Sequence, residues 1–449
     1  MLLAAGFEEL DDPGARNSPR PVVARGQAVV VSVDRPPSSV IPLVLLEAST
    51  LLSASGNAAA TVVLPWLVLE RTGSPGSAGL LAAATAVPLL VSSLFSGTIV
   101  DLWGRRRTSV VSDALSAVSV AAIPVLDATL GLNLAWLVGL AVLGAVFDPA
   151  GVTARETMLP AVTRRAGWSL DRANSLHEAV WGVAFLVGPG VGGVMIAWFG
   201  SVTALWATAV GFTASGLLVG FLKVADAGTP ERAAAPYGMW QGTGDGLRFV
   251  WRDPLLRGLA VMTAVLVSVY MPIEGVLLPV HFERLDEPGR LGGVIMAMSA
   301  GGVVGAIGYA ALARRVRRSL VFRGALLVTG VLVMVLAVLP PFAVMLVSGF
   351  GIGLAYGPVG PLVNLAMQTR SGEHMRGRVV GIITSAEYAA GPVGYLVTGA
   401  AAGSFGVRPV FLAIGVVVLV VVTAGLLVRS FSELDRLDAE PLVTSPAES

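Results

Sequence analysis

The amino-acid sequence predicts an all-α membrane protein whose twelve transmembrane helices form two six-helix repeats. Three observations carry this prediction. Hydrophobic residues make up 55% of the chain and charged residues only 13%, with a mean hydropathy of +0.78, whereas soluble domains carry about 25% charged residues. Apolar segments long enough to cross a bilayer follow one another along the chain. The basic residues, finally, fall almost entirely on one side of the predicted membrane.

Charged residues, Gly and Pro set the limits of the apolar segments, each close to the roughly 20 residues that a spanning helix needs. The segments of the first half are 42–69, 77–101, 108–127, 132–152, 175–197 and 201–222. Those of the second half are 255–281, 290–313, 320–339, 342–367, 377–400 and 406–429. The predicted domains are therefore an N-terminal tail (1–39), a first bundle (40–222), a linker (223–254), a second bundle (255–429) and a C-terminal tail (430–449).

Arginine and lysine are distributed unevenly between the two sides of this topology. All but four of the 30 basic residues lie in the tails, the linker and the loops of one side, and the exceptions are Arg71, Arg284, Arg290 and Arg408. Cytoplasmic loops are enriched in basic residues. We therefore expect a multi-pass protein of the plasma (inner) membrane with both termini in the cytoplasm.

The two halves share short sequence patterns. The pattern E-R-x-x-x-P-G-x-x-G occurs at 70–79 and again at 283–292, and Gly188-Pro189 returns as Gly391-Pro392. Parallel six-helix repeats with a substrate site between them near the membrane midplane are a transporter architecture. The repeats therefore favour a transporter in which the cavity lies between the two bundles.

Several classes of function lack their sequence signals. The chain has no cysteine and only three widely separated histidines, so no local pattern predicts a zinc site. No glycine-rich nucleotide motif, catalytic motif or basic-aromatic patch occurs in a suitable context. We therefore expect no enzyme activity, no cofactor, no nucleic-acid partner and no use of ATP by this chain alone. Nothing in the sequence indicates an obligate oligomer, so a monomer in the lipid bilayer is expected.

Four carboxylates within apolar segments are candidates for proton coupling: Glu274, Glu47, Glu387 and Asp148. Burying a charged side chain within the membrane costs about 2.5–3.5 kcal/mol or more. Each of these four carboxylates is therefore first interpreted as functional. A carboxyl group buried away from water can load and release a proton near neutral pH. The alternative for each is structural, either a helix-end charge that reaches the membrane surface or the partner of an arginine.

The substrate cavity is predicted from polar and aromatic side chains at helical spacing. Glu47, Asn57 and two threonines form a stripe on the first helix, and Trp66, Tyr270 and Tyr356 offer aromatic walls for an amphiphilic compound. Within the predicted limits no arginine falls in the middle of a span, which favours neutral or cationic cargo. Arg155, with its neighbour Glu156, is expected in a cytoplasmic connection after the fourth segment.

The loop after the second segment carries a charged motif. Gly97, Asp101, Gly104, Arg105 and Arg106 match the pattern G-x-x-x-D-[RK]-x-G-R-[RK], with Leu102 in place of the usual basic residue. This motif resembles the loop between helices two and three of the major facilitator superfamily. The resemblance implies the major facilitator fold and a cytoplasmic gate at these residues. A plain basic loop on the cytoplasmic side is the alternative.

A glycine-rich stretch lies in the fifth segment. Gly188, Pro189, Gly192 and Gly193 resemble the G-x-x-x-G-P-x-x-G-G motif of the drug:proton antiporters in that superfamily, with Ala184 at the first glycine position. Ordinary glycine packing between membrane helices is the alternative. The resemblance to this branch covers nearly all of residues 40–430. It implies proton-driven export of tetracycline- and aminoglycoside-type drugs by alternating access.

Two other functions remain open at this point. The same fold could export one endogenous metabolite, such as a siderophore. A membrane sensor or scaffold is the other alternative, but the linker and the tails are short for a folded module.

Overall fold

The computed structural model describes residues 22–24, 27–29, 39–222, 239–312, 315–371 and 373–437 of the 449-residue chain. The first half is built from α1 (Ile41–Thr72), α2 (Pro75–Trp103), α3 (Arg105–Thr129), α4 (Leu134–Val146), α5 (Asp148–Ala166) and α6 (Leu170–Gly220). Before α1, the short strands β1 (Val22–Ala24) and β2 (Gln27–Val29) pair antiparallel, with Val22 opposite Val29.

The second half begins with α7 (Met239–Arg252), which lies within the predicted linker. It continues with α8 (Pro254–Pro272), a π-helical turn (Ile273–Leu277), α9 (Leu278–Glu283), α10 (Pro288–Leu312), α11 (Arg318–Ala337), α12 (Phe342–Tyr356), α13 (Val359–Arg370), α14 (Glu373–Phe405), α15 (Val407–Leu426) and a 3-10 helix (Arg429–Arg436).

The helices begin where the sequence supplies caps. The side chain of Ser74 accepts the backbone N–H of Ser77 at the start of α2, and Asp253 accepts two backbone N–H groups at the start of α8. Such caps satisfy donors that the first helical turn leaves unpaired. Proline in the first turn of α1, α2 and α8 costs no hydrogen bond there.

The structure confirms twelve passes through the membrane. Among the described residues, 10 segments are long and apolar enough to span, and one of them, Arg172–Gly220, contains two passes. Gly200 breaks this segment with φ 81° and ψ 164°, a conformation that glycine adopts without strain. Gly188 and Phe212, on either side of the break, both pack against residues 55–59 of α1, so the chain reverses at Gly200. Helix α14, which has 33 residues, supplies the remaining pass.

The predicted limit of the fourth span was wrong at its end. Helices α4 and α5 continue to Ala166 as one spanning segment, 14 residues beyond the predicted limit at 152. Arg155 therefore lies inside a membrane-spanning helix and not in a loop. Its side chain is 2% exposed and is one of the largest buried side chains among the described residues.

Helix termini gather at two ends of the bundle. One end contains a cavity of about 310 Å³, which is lined by Glu70, Gly200, Glu283 and Pro288, and we call it the "opposite end". The other, the arginine-rich end, contains the turn at Gly104 between α2 and α3, where φ 84° requires glycine. These two names are used below without reference to the side of the membrane.

The two halves meet mainly where α2 packs on α14 and α6 packs on α10, and α1 also contacts α9 and α10. The closest approaches lie towards the opposite end. A Cβ added to Gly79 would lie 2.9 Å from the Cα of Gly399, and one added to Gly193 would lie 3.0 Å from the Cα of Gly292. Small residues let helix backbones approach this closely. The halves are therefore packed together at the opposite end.

The start of the predicted C-terminal tail is docked on the second half. Phe431 and Leu434 of the 3-10 helix are 0% exposed, and the Phe431 ring packs edge-on against Phe322 at 4.9 Å between centroids. Ser319 donates its hydroxyl to Asp435 at 2.6 Å. Arg370 of α13 pairs with Glu433 at 2.6 Å. These contacts join α11, α13 and the 3-10 helix at the arginine-rich end.

Candidate functional site

The predicted polar stripe of α1 faces other helices of the first half. Asn57 donates its amide to Asp148 of α5 at 2.7 Å, which joins a predicted cavity residue to a predicted proton carrier. Glu47 is 5% exposed and lies 3.1 Å from Nδ1 of His177 on α6. The hydroxyls of Thr50 and Thr61 instead donate to carbonyls of α1 itself. Through this stripe, α1 is hydrogen bonded to both α5 and α6.

A buried ion pair lies beside this stripe. Nη1 of Arg155 lies 3.1 Å from Asp113 of α3, and Nη2 donates to the hydroxyl of Ser53 at 2.9 Å. Ser53 and Ser215 in turn donate to the Asp113 carboxylate at 2.9 and 2.7 Å. Side chains from α1, α3, α5 and α6 therefore meet in one network.

This network corrects the expectation that no arginine lies in the middle of a span. The inference about cargo drawn from that expectation loses its basis. The charge of Arg155 is nonetheless balanced by Asp113, which is 1% exposed. Buried charges are tolerated when they are paired and hydrogen bonded. Nη1 and Nη2 of the guanidinium are therefore committed to the bundle, whereas its buried Nε has no hydrogen-bond partner among the described residues.

Glu274 lies in the π-helical turn that follows Pro272. Its carboxyl group interacts with the phenol of Tyr270, one turn earlier, and Tyr395 of α14 lies close by. A Cβ on the neighbouring Gly275 would lie 2.7 Å from the Tyr395 ring, so α14 packs directly on this turn. π-Helical turns inside α-helices are frequent at functional sites. Of the described side chains, no basic one pairs with Glu274.

The aromatic pair predicted for the cavity wall forms beside Glu274. Tyr270 and Tyr356 stack with centroids 6.1 Å apart and an interplanar angle of 6°. Glu387 of α14 faces the same pair, since its carboxyl group interacts with Thr263 of α8 and lies in the electrostatic field of Tyr356. Helices α8, α12 and α14 thus bring two carboxyl groups and two stacked rings together in the second half.

Trp66 lies apart from that pair. It is 4% exposed and lines the cavity of about 310 Å³ at the opposite end, together with Glu70, Glu283 and Asp286. The hydroxyl of Ser201 donates to Glu70 at 2.7 Å in the wall of this cavity. The three predicted aromatic residues therefore belong to two separate places.

The glycine-rich motif of α6 lies where three helices meet. A Cβ on Gly188 would lie 2.7 Å from Ala58 of α1, and one on Gly192 would lie 3.1 Å from the Ala59 carbonyl. Gly193 faces the other way, against Pro288 and Gly292 of α10. The carbonyl of Pro189 lies 2.6 Å from a Cβ built on Gly292. The motif allows α6 to pack tightly on both α1 and α10.

The charged motif at the arginine-rich end is described only in part. Gly97 and Asp101 lie in α2, but the placement of their side chains and surroundings is outside what the structure describes. Gly104 forms the turn into α3. Arg106 donates to the carbonyl of Gly220 at the end of α6, and Arg105 is half-buried. Arg106 thus holds the loop against the last helix of the first half.

Sequence reasoning missed Arg155, His177, Trp181 and Tyr395 as members of these clusters. Arg155 could have been found, because it lies two helical turns after Asp148 on the same face of α5. The partners of the others lie far away in sequence: Glu47 and His177 are separated by 130 residues. Within the described residues, no group of three or more ligating side chains could hold a metal ion.

Comparison with known proteins gives one family. A family model of the Major Facilitator Superfamily matches residues 46–395. The chain is 45% identical over 397 residues to a multidrug efflux pump, Tap, of Mycolicibacterium fortuitum, covering 88% of this chain and 97% of that protein. It is 44% identical to the pump of the same name of Mycobacterium tuberculosis (strain ATCC 25618 / H37Rv), covering 89% and 96%.

Among solved structures, a mutant form of the nucleoside transporter NupG superposes with a TM-score of 0.73 at 11% identity, covering 86% of this chain and 100% of that chain. A bacterial homologue of the lysosomal transporter Spinster, in an inward-facing and unoccupied conformation, gives 0.63 at 13% identity, with 88% and 96% coverage. At these identities the likeness concerns the fold alone. The family match and the sequence relatives go further, and they show that this chain belongs to the Major Facilitator Superfamily and is a membrane transporter, not an enzyme.

Proposed function

We propose that this protein is a proton-coupled multidrug efflux antiporter. It exports small amphiphilic drugs by alternating access, and the drugs include tetracycline- and aminoglycoside-type compounds. It acts as a monomer in the lipid bilayer of the plasma membrane, with both tails in the cytoplasm. The multidrug efflux pumps that share 44–45% of its residues over most of both chains support this proposal.

This proposal rests mainly on the position of Glu274. It is an acidic side chain inside a spanning segment, at a π-helical turn, beside the stacked Tyr270 and Tyr356. Tyrosine faces accept apolar and cationic drug rings, and a carboxylate can hold either a proton or a cationic drug. Competition for one carboxyl group couples loss of the proton to binding of the drug. Glu274 is therefore assigned as the main proton carrier.

The other predicted residues receive supporting roles. Glu387 shares the aromatic pair with Glu274, whereas Asp148 and Glu47 lie on the polar stripe of the first half. Gly97, Asp101, Gly104, Arg105 and Arg106 form the cytoplasmic gate, as their likeness to the superfamily motif implies. This gate is proposed to close when the opposite end opens to the outside.

Alternating access is supported by the packing of the two halves. The close glycine contacts lie towards the opposite end, which the arginine distribution predicts to be external. Drug would then enter from the arginine-rich, cytoplasmic end. The bundles 40–222 and 255–429 would rock about the cavity between them, with the linker 223–254 joining them on the cytoplasmic side.

Everted membrane vesicles with an acidic interior and a pH-sensitive dye test this proposal. Tetracycline, a macrolide or ethidium, added outside, should enter in exchange for protons and collapse the gradient. Glu274→Gln should abolish the collapse, because glutamine cannot release a proton. Glu287→Gln, which alters a carboxylate paired with Arg290 in an exposed turn, is the matched control and should behave as wild type. No collapse with any drug, from folded wild-type protein, would contradict drug:proton antiport.

A further inference from the structure

A chain of three polar side chains links α1 to the start of α6. Both carboxylate oxygens of Glu47 lie 3.1–3.2 Å from Nδ1 of His177. One helical turn later, Nε1 of Trp181 donates to Nε2 of His177 at 3.1 Å. His177 is 7% exposed and Glu47 is 5% exposed. The imidazole is therefore held at both of its nitrogens, away from water.

The donors and acceptors fix the protonation of this chain. An indole N–H can only donate, so Nε2 of His177 accepts and carries no proton. The single proton of the neutral imidazole is then on Nδ1, which donates it to the Glu47 carboxylate. With Glu47 ionised and His177 neutral, the pair carries one net negative charge in the protein interior. A buried uncompensated charge is costly, so the pair is a ready acceptor for one proton.

An added proton has a defined destination. Imidazole is the more basic of the two groups in water, so the proton binds to the Nε2 lone pair and gives an imidazolium–carboxylate pair. The N–H of Trp181 then faces another N–H and loses its acceptor. Loss of the proton restores the hydrogen bond. Protonation and the position of the Trp181 side chain are therefore linked.

The surroundings of His177 favour this proton uptake. Glu156 of α5 and Glu178 of α6 add negative charge to that of Glu47 on α1. On α10, the residue that faces this part of α6 is the apolar Val303, which lies against Gly182. Basic side chains are absent from the charged groups that act on the imidazole within the described residues.

The third member of the chain adjoins the contact between the two halves. Trp181 stacks on Phe185, with centroids 5.7 Å apart. The next residue, Gly182, faces Val303 of α10, at 3.5 Å from a Cβ built on the glycine. A movement of the Trp181 side chain therefore occurs next to the contact between α6 and α10. In the proposed transport cycle, this contact changes when the two halves rock.

We propose that Glu47 and His177 bind and release one proton as a unit, and that Trp181 senses the protonation state and passes it to the contact between α6 and α10. His177 is in this view a second proton site of the transporter and the positioning residue of Glu47. The inference rests on the proposed proton coupling. It assigns to the first half a site that is independent of Glu274.

The histidine content of the chain allows a direct test. Only three histidines occur, so 15N-histidine-labelled protein in lipid nanodiscs gives three imidazole signals, and His177→Gln identifies the one that belongs to His177. Two-bond 1H–15N correlations should show the Nδ1–H tautomer at pH 9 and imidazolium at pH 5. An Nε2–H tautomer at pH 9, or no titration between these limits, would overturn the proposal.

Two variants test the partners in the same spectra. Trp181→Phe keeps the ring and removes the hydrogen bond that protonation must break, so the midpoint should rise by about 0.5–1 pH unit. Glu47→Gln removes the anionic partner, so the midpoint should fall. A midpoint that stays the same in both variants would show that the three side chains do not act together.

Transport in proteoliposomes supplies the functional test. His177→Gln should lose at least tenfold of the ethidium uptake that a pH gradient drives, because it removes one proton site. His281→Gln, at the other end of the molecule, is the control. If His177→Gln does not fold, Trp181→Phe should still shift the pH profile of gradient-driven uptake. Full gradient-driven uptake by His177→Gln rejects this inference alone, whereas wild type without any gradient-driven uptake rejects the proposed function.

Discussion

Arg155 of α5 and Asp113 of α3 form a buried ion pair at 3.1 Å, with side chains 2% and 1% exposed. Ser53 of α1 is hydrogen bonded to both side chains, and Ser215 of α6 donates to Asp113. The pair thus joins four helices of the first half at one point. A charge at this depth is stable only while its partner remains.

Removal of one partner of this pair should destabilise the protein strongly. Asp113→Asn leaves the Arg155 guanidinium buried without a counter-charge, and we expect a loss of about 3–5 kcal/mol in the free energy of unfolding. Asp113→Asn combined with Arg155→Gln should cost less than the sum of the single changes. Denaturant unfolding in detergent measures all three variants. Additive effects would show that the two side chains do not depend on each other.

The glycine contacts between the halves should not tolerate a side chain. A Cβ on Gly193 would lie 2.6 Å from the carbonyl of Pro288, and a backbone atom cannot move aside alone. Gly193→Ala is expected to push α6 and α10 apart at the opposite end and to reduce transport at least tenfold. Gly308→Ala on α10, with no neighbour within 4 Å, is the control.

The separation of α6 and α10 can be measured with an introduced pair of cysteines, because the chain has no cysteine of its own. The Cβ of Ala197 lies 3.8 Å from a Cβ built on Gly289, a typical spacing for a disulfide. Ala197→Cys with Gly289→Cys should crosslink readily and lock the opposite end closed. Added Gly193→Ala should slow the crosslinking. Equal crosslinking rates with and without it would contradict the predicted separation.

The stacked tyrosines should contribute to drug affinity. Tyr356→Ala removes one ring of the pair on which the drug is proposed to stack, and an aromatic contact is worth about 0.5–1.5 kcal/mol, so the Kd for ethidium should rise roughly 2- to 12-fold. Tyr270→Phe keeps the ring and should leave the Kd nearly unchanged while altering its pH dependence through Glu274. Fluorescence titration measures both. Phe405→Ala, at a ring that is 73% exposed, is the control, and an equal loss there would point to a general effect.

Docking of the C-terminal 3-10 helix should weaken in acid. Burial raises the pKa of Asp435, but hydrogen bonds from Ser319 and the charge of Arg317 outweigh it and hold the pKa below the ordinary value of 3.8. The carboxylate therefore stabilises the folded state above about pH 3.8, and this contribution is lost as the pH falls through the lowered pKa.

Asp435→Asn should accordingly lower the Tm at pH 7. The expected decrease is only about 1–2 °C, because Asp435 is exposed and solvent weakens its interactions. The difference from wild type should be smaller at pH 3 than at pH 7, because the carboxylate begins to be protonated below pH 3.8. Thermal unfolding at both pH values checks this, with Asp245→Asn on α7 as the control. A difference that is as large at pH 3 as at pH 7 would assign it to something other than the charge.

The superfamily motifs identified candidate residues in the sequence, but the contacts that these residues make depend on the fold. From the sequence, the stretch 188–193 has a pattern of glycines, and Gly200 falls between two predicted spans. The break at Gly200 could be predicted because the apolar length between charged residues is about twice that of one span. That Gly193 meets Gly292 while Gly188 meets Ala58 could not, since it requires the packing of three helices.

The sequence by itself determined the class of the protein, the number of its spans and the repeat of its two halves. Each of these depends on local composition and period, because a bilayer requires a fixed length of apolar helix. Tertiary structure alone decided the partners of the buried charges. Asp113 and Arg155, Asn57 and Asp148, and Glu47 and His177 lie on different helices, 42, 91 and 130 residues apart. Such pairs form only when helices pack in three dimensions, and no local pattern records which charges will meet.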